Sequence, residues 1–347
     1  MFKTYLKFWG LLPLSLLTLG CAQMPLADSP QQEKSVARAT ILSEDHDVNQ
    51  PFMSVQLLGS VALDESEDLV GLSDLAWDED EQLLYAISDF GKLFHLRPVF
   101  KEGRLSDVML VAKYALLGVK GRSLSGKSKD AEGLTLLNAN NGSKGDTELL
   151  VSFEGYPRIY RYDTSGVLEG DRELPDILAN ADNYKTSNDA LEALTIHPQW
   201  GVMTSPERAL KASTNKGQVS WFNLKGQRWF YPMAKEAGNA VVSMEALPSG
   251  EVLVLERAYV NPLVPFIINL RWVDQLAEPD TQQALKVETV ARFNGGDGWY
   301  MDNFEGLTRH KERRFFMVSD DNNHPFLQSL LVYFEVLDER KNKRGER

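Results

Sequence analysis

Acidic residues recur at two places in a repeating unit of this 347-residue chain, and their spacing holds most of its chemistry. Glu132, Glu192, Glu245 and Glu305 each open a short segment of the form acid, small residue, Leu. Each segment is followed by a turn and an apolar run ending in a second acid: Glu154, Glu207, Glu256 and Asp320, with Asp89 in the equivalent place of an earlier unit. Carboxylates gathered together raise one another's pKa values unless cations compensate. Two kinds of cation fit. Lys92, Arg158, Arg208 and Arg257 follow the second acids closely and could pair with them or hold an anionic ligand. A hard divalent ion, calcium above all, takes a shell of carboxylate, carbonyl and water oxygens, so all nine acids are candidate metal ligands. Acids to hold calcium with bases beside them suit the bridging of a phosphate to the protein. Glu305 and Glu245 are the candidate bases, and His324, which follows Asp320, Asp321, Asn322 and Asn323, is a candidate general acid or ligand. The plainer reading stays open: each Glu latches a neighbouring unit through backbone amides and each Arg neutralises it.

Such acids need a scaffold that repeats. The segments Val70-Gly71-Leu72-Ser73, Glu132-Gly133-Leu134-Thr135, Glu192-Ala193-Leu194-Thr195, Glu245-Ala246-Leu247-Pro248 and Glu305-Gly306-Leu307-Thr308 share one pattern, with small residues 62, 60, 53 and 60 residues apart. Two further strand-like runs usually follow each pair, as at 158–162 and 219–224. Short strands in fours, Gly and Pro turns and no long amphipathic pattern imply an all-β fold, a β-propeller of four-stranded blades. Five blades are counted, and the long linkers 167–188 and 274–294 leave room for a sixth. The last repeat supplies three strands, and 52–63 is an orphan strand; pairing the two closes the ring and removes exposed edges. The inner strand of a blade starts on the face to which the second strand returns. Both sets of acids are therefore expected on one face, at the channel mouth. Val70 leaves the first repeat without its Glu, which places any ligand nearer the later blades.

The remaining composition sets the context. Formal charge is −12, and no Lys/Arg run offsets it before the tail at 341–347, so nucleic acid is not an expected partner. Lys3 and Lys7 precede the apolar stretch 8–19, which is too short to span a bilayer and reads as a signal peptide over 1–20. Leu17-Thr18-Leu19-Gly20-Cys21 resembles a bacterial lipobox with Thr18 in place of Leu, and Cys21 is the sole cysteine. Acylation of Cys21 and a cell-envelope location are expected, on the periplasmic side of an outer membrane or at the surface, with the lipid as the only membrane contact. Residues 21–50 read as a polar tether with His46 solvated, 51–338 as the propeller and 339–347 as a charged tail. A monomer is expected.

At these residues the chain resembles the bacterial "esterase-like activity of phytase" family, the phytase-like propellers. Asn303-Phe304-Glu305-Gly306-Leu307 with Val318-Ser319-Asp320-Asp321-Asn322-Asn323-His324-Pro325-Phe326 carries most of the likeness. Met244-Glu245-Ala246-Leu247 with Leu255-Glu256-Arg257, and Ala86-Ile87-Ser88-Asp89, add to it. The resemblance implies a propeller that hydrolyses a small anionic phosphoric or related ester, with calcium as cofactor. The alternative is an envelope propeller that binds a ligand or acts as a scaffold without chemistry. Gly121-Arg122-Ser123-Leu124-Ser125-Gly126-Lys127-Ser128 matches a P-loop by letter, but a blade strand follows it where a helix is needed, so it reads as a loop on the acidic face that could lend Arg122 or Lys127 to an anion. No Gly-x-Ser-x-Gly elbow occurs. His95, His197 and His310 read as structural.

Overall fold

Second strands that are apolar along their whole length are buried on both faces, because each lies between two neighbouring blades. Leu83–Ser88 is buried at every residue, whereas the outer strand Leu168–Arg172 alternates half-buried and exposed positions. The computed structural model describes residues 33–215 and 217–338. The expected signal peptide, Cys21 and the charged tail lie outside them. No helix of the described residues is long and apolar enough to cross a membrane.

Five antiparallel sheets form a five-bladed propeller. Blade 1 comprises Leu72–Asp78, Leu83–Ser88, Lys92–Lys101 and Arg104–Ala115. Blade 2 comprises Ala131–Leu137, Glu148–Phe153, Arg158–Asp163 and Leu168–Arg172. Blade 3 comprises Leu191–His197, Gly201–Pro206, Gln218–Asn223 and Arg228–Pro232. Blade 4 comprises Asn239–Ala246, Val252–Ala258, Ile267–Val273 and Glu288–Asn294. Blade 5 takes Asn303–Lys311, Arg314–Asp320 and Leu330–Val336 from the end of the chain and Val55–Leu63 from its start, which closes the ring as expected. The linkers that left room for a sixth blade hold the outer strands of blades 2 and 4. Inner strands touch in cyclic order, and the buried apolar residues fall into five clusters, one for each interface between adjacent blades.

Residues 33–50 are part of this domain, which corrects the tether reading for that stretch. Lys34–Ser35 pairs with the outer strand of blade 1 and Ala37–Ala39 with the outer strand of blade 5, so one short segment covers both edges at the seam. Val36 between them is buried in the cluster joining blades 5 and 1. Leu42 enters the cluster between blades 4 and 5. His46 is half-buried rather than free in a tether: it stacks on Trp299 at 4.5 Å and its Nε2 lies 2.9 Å from the carbonyl of Asp297.

Every inner strand carries a register shift near its start, between Leu72 and Asp74, Ala131 and Leu134, Leu191 and Ala193, Val241 and Ser243, and Phe304 and Gly306. Such bulges re-aim side chains. The residues inserted there are Ser73, Glu132, Glu192, Val242 and Glu305, and in blades 2 to 5 the next residue is small, where inner strands converge. A Cβ on Gly133 would lie 2.5 Å from the carbonyl of Glu192, and one on Gly306 would lie 2.8 Å from Cα of Asp74.

Candidate active site at the acidic mouth

The second strand sets which acids reach the mouth. Opposite the repeat's large apolar residue (Leu75, Leu134, Leu194, Met244, Leu307) stand Ala86, Val151, Thr204, Val254 and Met317. The mouth residue follows each of these at a fixed offset, giving Asp89, Glu154, Glu207, Arg257 and Asp320. The structure therefore brings together Glu132, Glu192, Glu305, Asp89, Glu154, Glu207 and Asp320, as expected, but excludes two residues.

Glu245 and Glu256 are the corrections. The blade-4 repeat is Val242-Ser243-Met244, so Glu245 stands further along the inner strand. It lines a cavity at the opposite end of the channel with Trp77, Leu136 and Arg309, where burial pushes its carboxyl up to about 7 against the pull of Arg309. Glu256 is one residue short of the mouth position, so its side chain leaves the other face of the strand. It accepts from Tyr231 Oη at 2.6 Å, Asn239 Nδ2 at 2.7 Å and the amide of Ala234 at 3.0 Å, which makes it a latch between blades 3 and 4. The first repeat is likewise Ser73-Asp74-Leu75, not Val70-Gly71-Leu72.

Arg257 takes the mouth position of blade 4 and compensates one half of the mouth. Its Nη2 donates to Glu207 at 2.7 Å, and its Nη1 donates to Glu305 at 2.9 Å and to Asn303. Asn303 in turn donates to Glu305 at 2.8 Å and to Asp320 at 3.3 Å. Arg208 pairs with Glu207 and, at 3.0 Å, with Asp189. Burial raises the Glu305 carboxyl well above its usual range even beside Arg257. Asp320 is pushed up to about 6, chiefly by burial.

The other half has nearby cations but no arginine paired with its acids. Oxygens of Asp130, Glu132 and Glu154 lie within 4.8 Å of one another, and among the described residues none of the three forms an ion pair. Burial, then Glu154, Glu305 and Asp130, raises Glu132 far above the carboxylate range. Burial pushes Glu154 up to about 8, although a hydrogen bond with Glu192 opposes the shift. Asp89 is pushed up to about 7 by burial and by Asp320 and Asp130, and its Oδ1 is buried without a hydrogen-bond partner. An all-oxygen donor set with excess negative charge and a spare acceptor fits a hard divalent cation. The acids without an arginine partner belong to blade 2, with Asp89 of blade 1 beside them.

Of the remaining candidates, Lys92 and His324 make their contacts elsewhere, whereas Arg158 is near enough to act on Asp130. Arg158 packs its guanidinium on the rings of Phe153 and Tyr160 and donates to the carbonyl of Ser128. Lys92 pairs with Asp68 at 3.5 Å. His324 is exposed, its ring 5.5 Å from that of Phe326, and its amide closes a turn onto Asp321. The P-loop lookalike ends in a 3-10 turn, Gly126–Ser128, beside the blade-2 acids: burial raises the Asp130 carboxyl above its usual range, and Lys129, Lys127 and Arg158 oppose the rise. His95, His197 and His310 bond to Thr164, Gly250 and Tyr333 within the scaffold. Sequence reasoning missed Asp130, Asn303 and Asp189, which precede the strands that carry the pattern or open them, and it missed Asp74 altogether. Asp74 stands in blade 1 where the other blades have Gly, Ala or Ser, and realigning the repeat by its Leu would have found it.

Comparison with known proteins bears on this geometry. Among solved structures the chain is similar to the Cps50 (Swd1) β-propeller domain of Myceliophteria thermophila, at 10% identity over 87% of this chain and 100% of that one, TM-score 0.37. It is similar to the Neurospora crassa Pan2 WD40 domain, at 12% identity over 83% and 97%, TM-score 0.37. It is also similar to XC5397, a gluconolactonase of Xanthomonas campestris, at 10% identity over 89% and 99%, TM-score 0.38. Likeness this distant carries no argument about function, and the fold stands on the strand pairing above. A search of curated proteins returned no match. Residues 67–323 match the family described as "Esterase-like activity of phytase", and this match covers blades 1 to 4 and the two inner strands of blade 5. The chain therefore belongs to the phytase-like, esterase-activity family of β-propellers.

Proposed function

We propose that this protein is a calcium-dependent hydrolase of phosphoric or related anionic esters, acting at the mouth of the propeller. The observation that carries the reading is the trio Asp130, Glu132 and Glu154, three buried or half-buried carboxylates whose oxygens lie within 4.8 Å of one another and which form no ion pair among the described residues, in a family named for esterase activity. These residues would hold the ion, with Asp89 beside them. A bound divalent ion supplies Lewis acidity at the ester oxygen and lowers the pKa of a water. Glu192, beside Glu154 and raised well above the carboxylate range by burial, is placed to carry a proton at the site. Arg208, one-third exposed at the rim, offers the remaining face of its guanidinium to the substrate's negative charge. Arg257 is committed to Glu207 and Glu305 and organises the mouth. The signal-like segment and Cys21 support an exported, lipid-anchored protein of the cell envelope.

The test is a panel of aryl carboxylic esters, phosphomonoesters, phosphodiesters and phytate with purified protein. Turnover of at least one class with calcium, lost on chelation and reduced about 100-fold or more in Glu132→Gln, is expected. Calcium binding with no turnover anywhere on the panel would favour a binding propeller instead.

A further inference from the structure

Asp74 lies on the propeller axis and has no counterpart in the other blades. It is 1% exposed. Its Oδ2 accepts the amide of Leu134 in blade 2 at 2.8 Å, and its Oδ1 accepts the amide of Leu307 in blade 5 at 3.1 Å. Ser243 Oγ of blade 4 reaches the same oxygen across the axis at 3.2 Å. One carboxyl thus joins the inner strands of four blades. The two amides stand just past the bulges of blades 2 and 5, two residues after Glu132 and Glu305. A bulge leaves its backbone out of the ladder and free to shift, and Asp74 anchors the far end of both bulges from a single point.

We propose that Asp74 is a positioning residue for the mouth: by clamping the amides of Leu134 and Leu307 it sets the distance between Glu132, on the metal-binding half, and Glu305, on the arginine half. The proposal rests on the functional reading above for its catalytic consequence, but the placement itself does not depend on that reading. A site of this kind tolerates about 0.5 Å of displacement. The clamp also has a natural reference state, because blades 2 and 5 carry Gly at this position and the fold accommodates it.

The test uses Asp74→Gly and Asp74→Asn in the full chain, with Ser243→Ala as control, since it removes the hydroxyl and leaves both backbone clamps. In crystal structures the Glu132 and Glu305 carboxyls are expected to separate by about 1 Å or more in Asp74→Gly. Calcium affinity by titration calorimetry is expected to fall about tenfold in Asp74→Gly, less in Asp74→Asn, and to stay within about twofold of wild type in Ser243→Ala. Unchanged carboxyl positions in Asp74→Gly overturn the proposal whether or not calcium binds. A wild type that binds no calcium overturns the proposed function and leaves the crystallographic comparison to decide this one. If neither Asp74 variant folds, Asp74 is a folding element alone and the proposal is also overturned.

Discussion

A guanidinium at the place where four other blades carry a carboxylate divides the mouth into a paired half and an unpaired one. Arg257→Ala would leave Glu207 and Glu305, 4% and 15% exposed, with a lost partner, and is expected to cost about 3–5 kcal/mol in denaturant unfolding. Arg208→Ala is expected to cost about 1 kcal/mol or less, because its side chain is 33% exposed and Glu207 keeps Arg257. Equal losses in the two variants would contradict this division. Residue types were legible at this scale, and register was not. Glu256 and Arg257 are adjacent, and since alternate residues of a strand face opposite ways, a slip of one exchanged a blade latch for the mouth residue. Glu245 misled because it begins a run, Glu-Ala-Leu, that resembles the repeat but lies one stretch too late. Asp74 was hidden by the assumption that a repeat position is conserved in size.

At the scale of elements, the second strands were the most readable part of the chain, since their unbroken apolar runs follow from burial between two blades. The segment 33–50 was unreadable by composition. It is mostly polar, yet it is held by backbone pairing at two sheet edges and by a few buried anchors, which leave no period to detect. Leu42 tests the point, being 1% exposed within the cluster between blades 4 and 5. Leu42→Ala is expected to destabilise the domain by about 2–5 kcal/mol, whereas a tether residue would cost nothing. Thermal or urea unfolding of the purified variant decides between them.

At the scale of the whole molecule, the mouth acids couple stability to pH and metal. Carboxyls whose folded pKa values are raised bind protons more tightly folded than unfolded. The stability they confer is full below their unfolded values near 4 and is lost as pH rises through the folded ones, about 6 for Asp320, about 7 for Asp89 and about 8 for Glu154. The metal-free protein is therefore expected to melt at progressively lower temperature from about pH 5 to about pH 8.5. Calcium should restore the midpoint chiefly at the upper end, where the acids are ionised and able to take it. A calcium shift of equal size across that range would contradict the coupling. Ring closure has a further, kinetic consequence. Leu330 pairs with Ala62, so the whole of blades 1 to 4 is synthesised between the two halves of the fifth sheet. The strand that emerges early has Ala37–Ala39 to pair with on one edge, and its other edge stays bare until Leu330–Val336 is made. Folding that depends on a contact so distant in sequence is slow, and the nascent chain stays open for most of its synthesis.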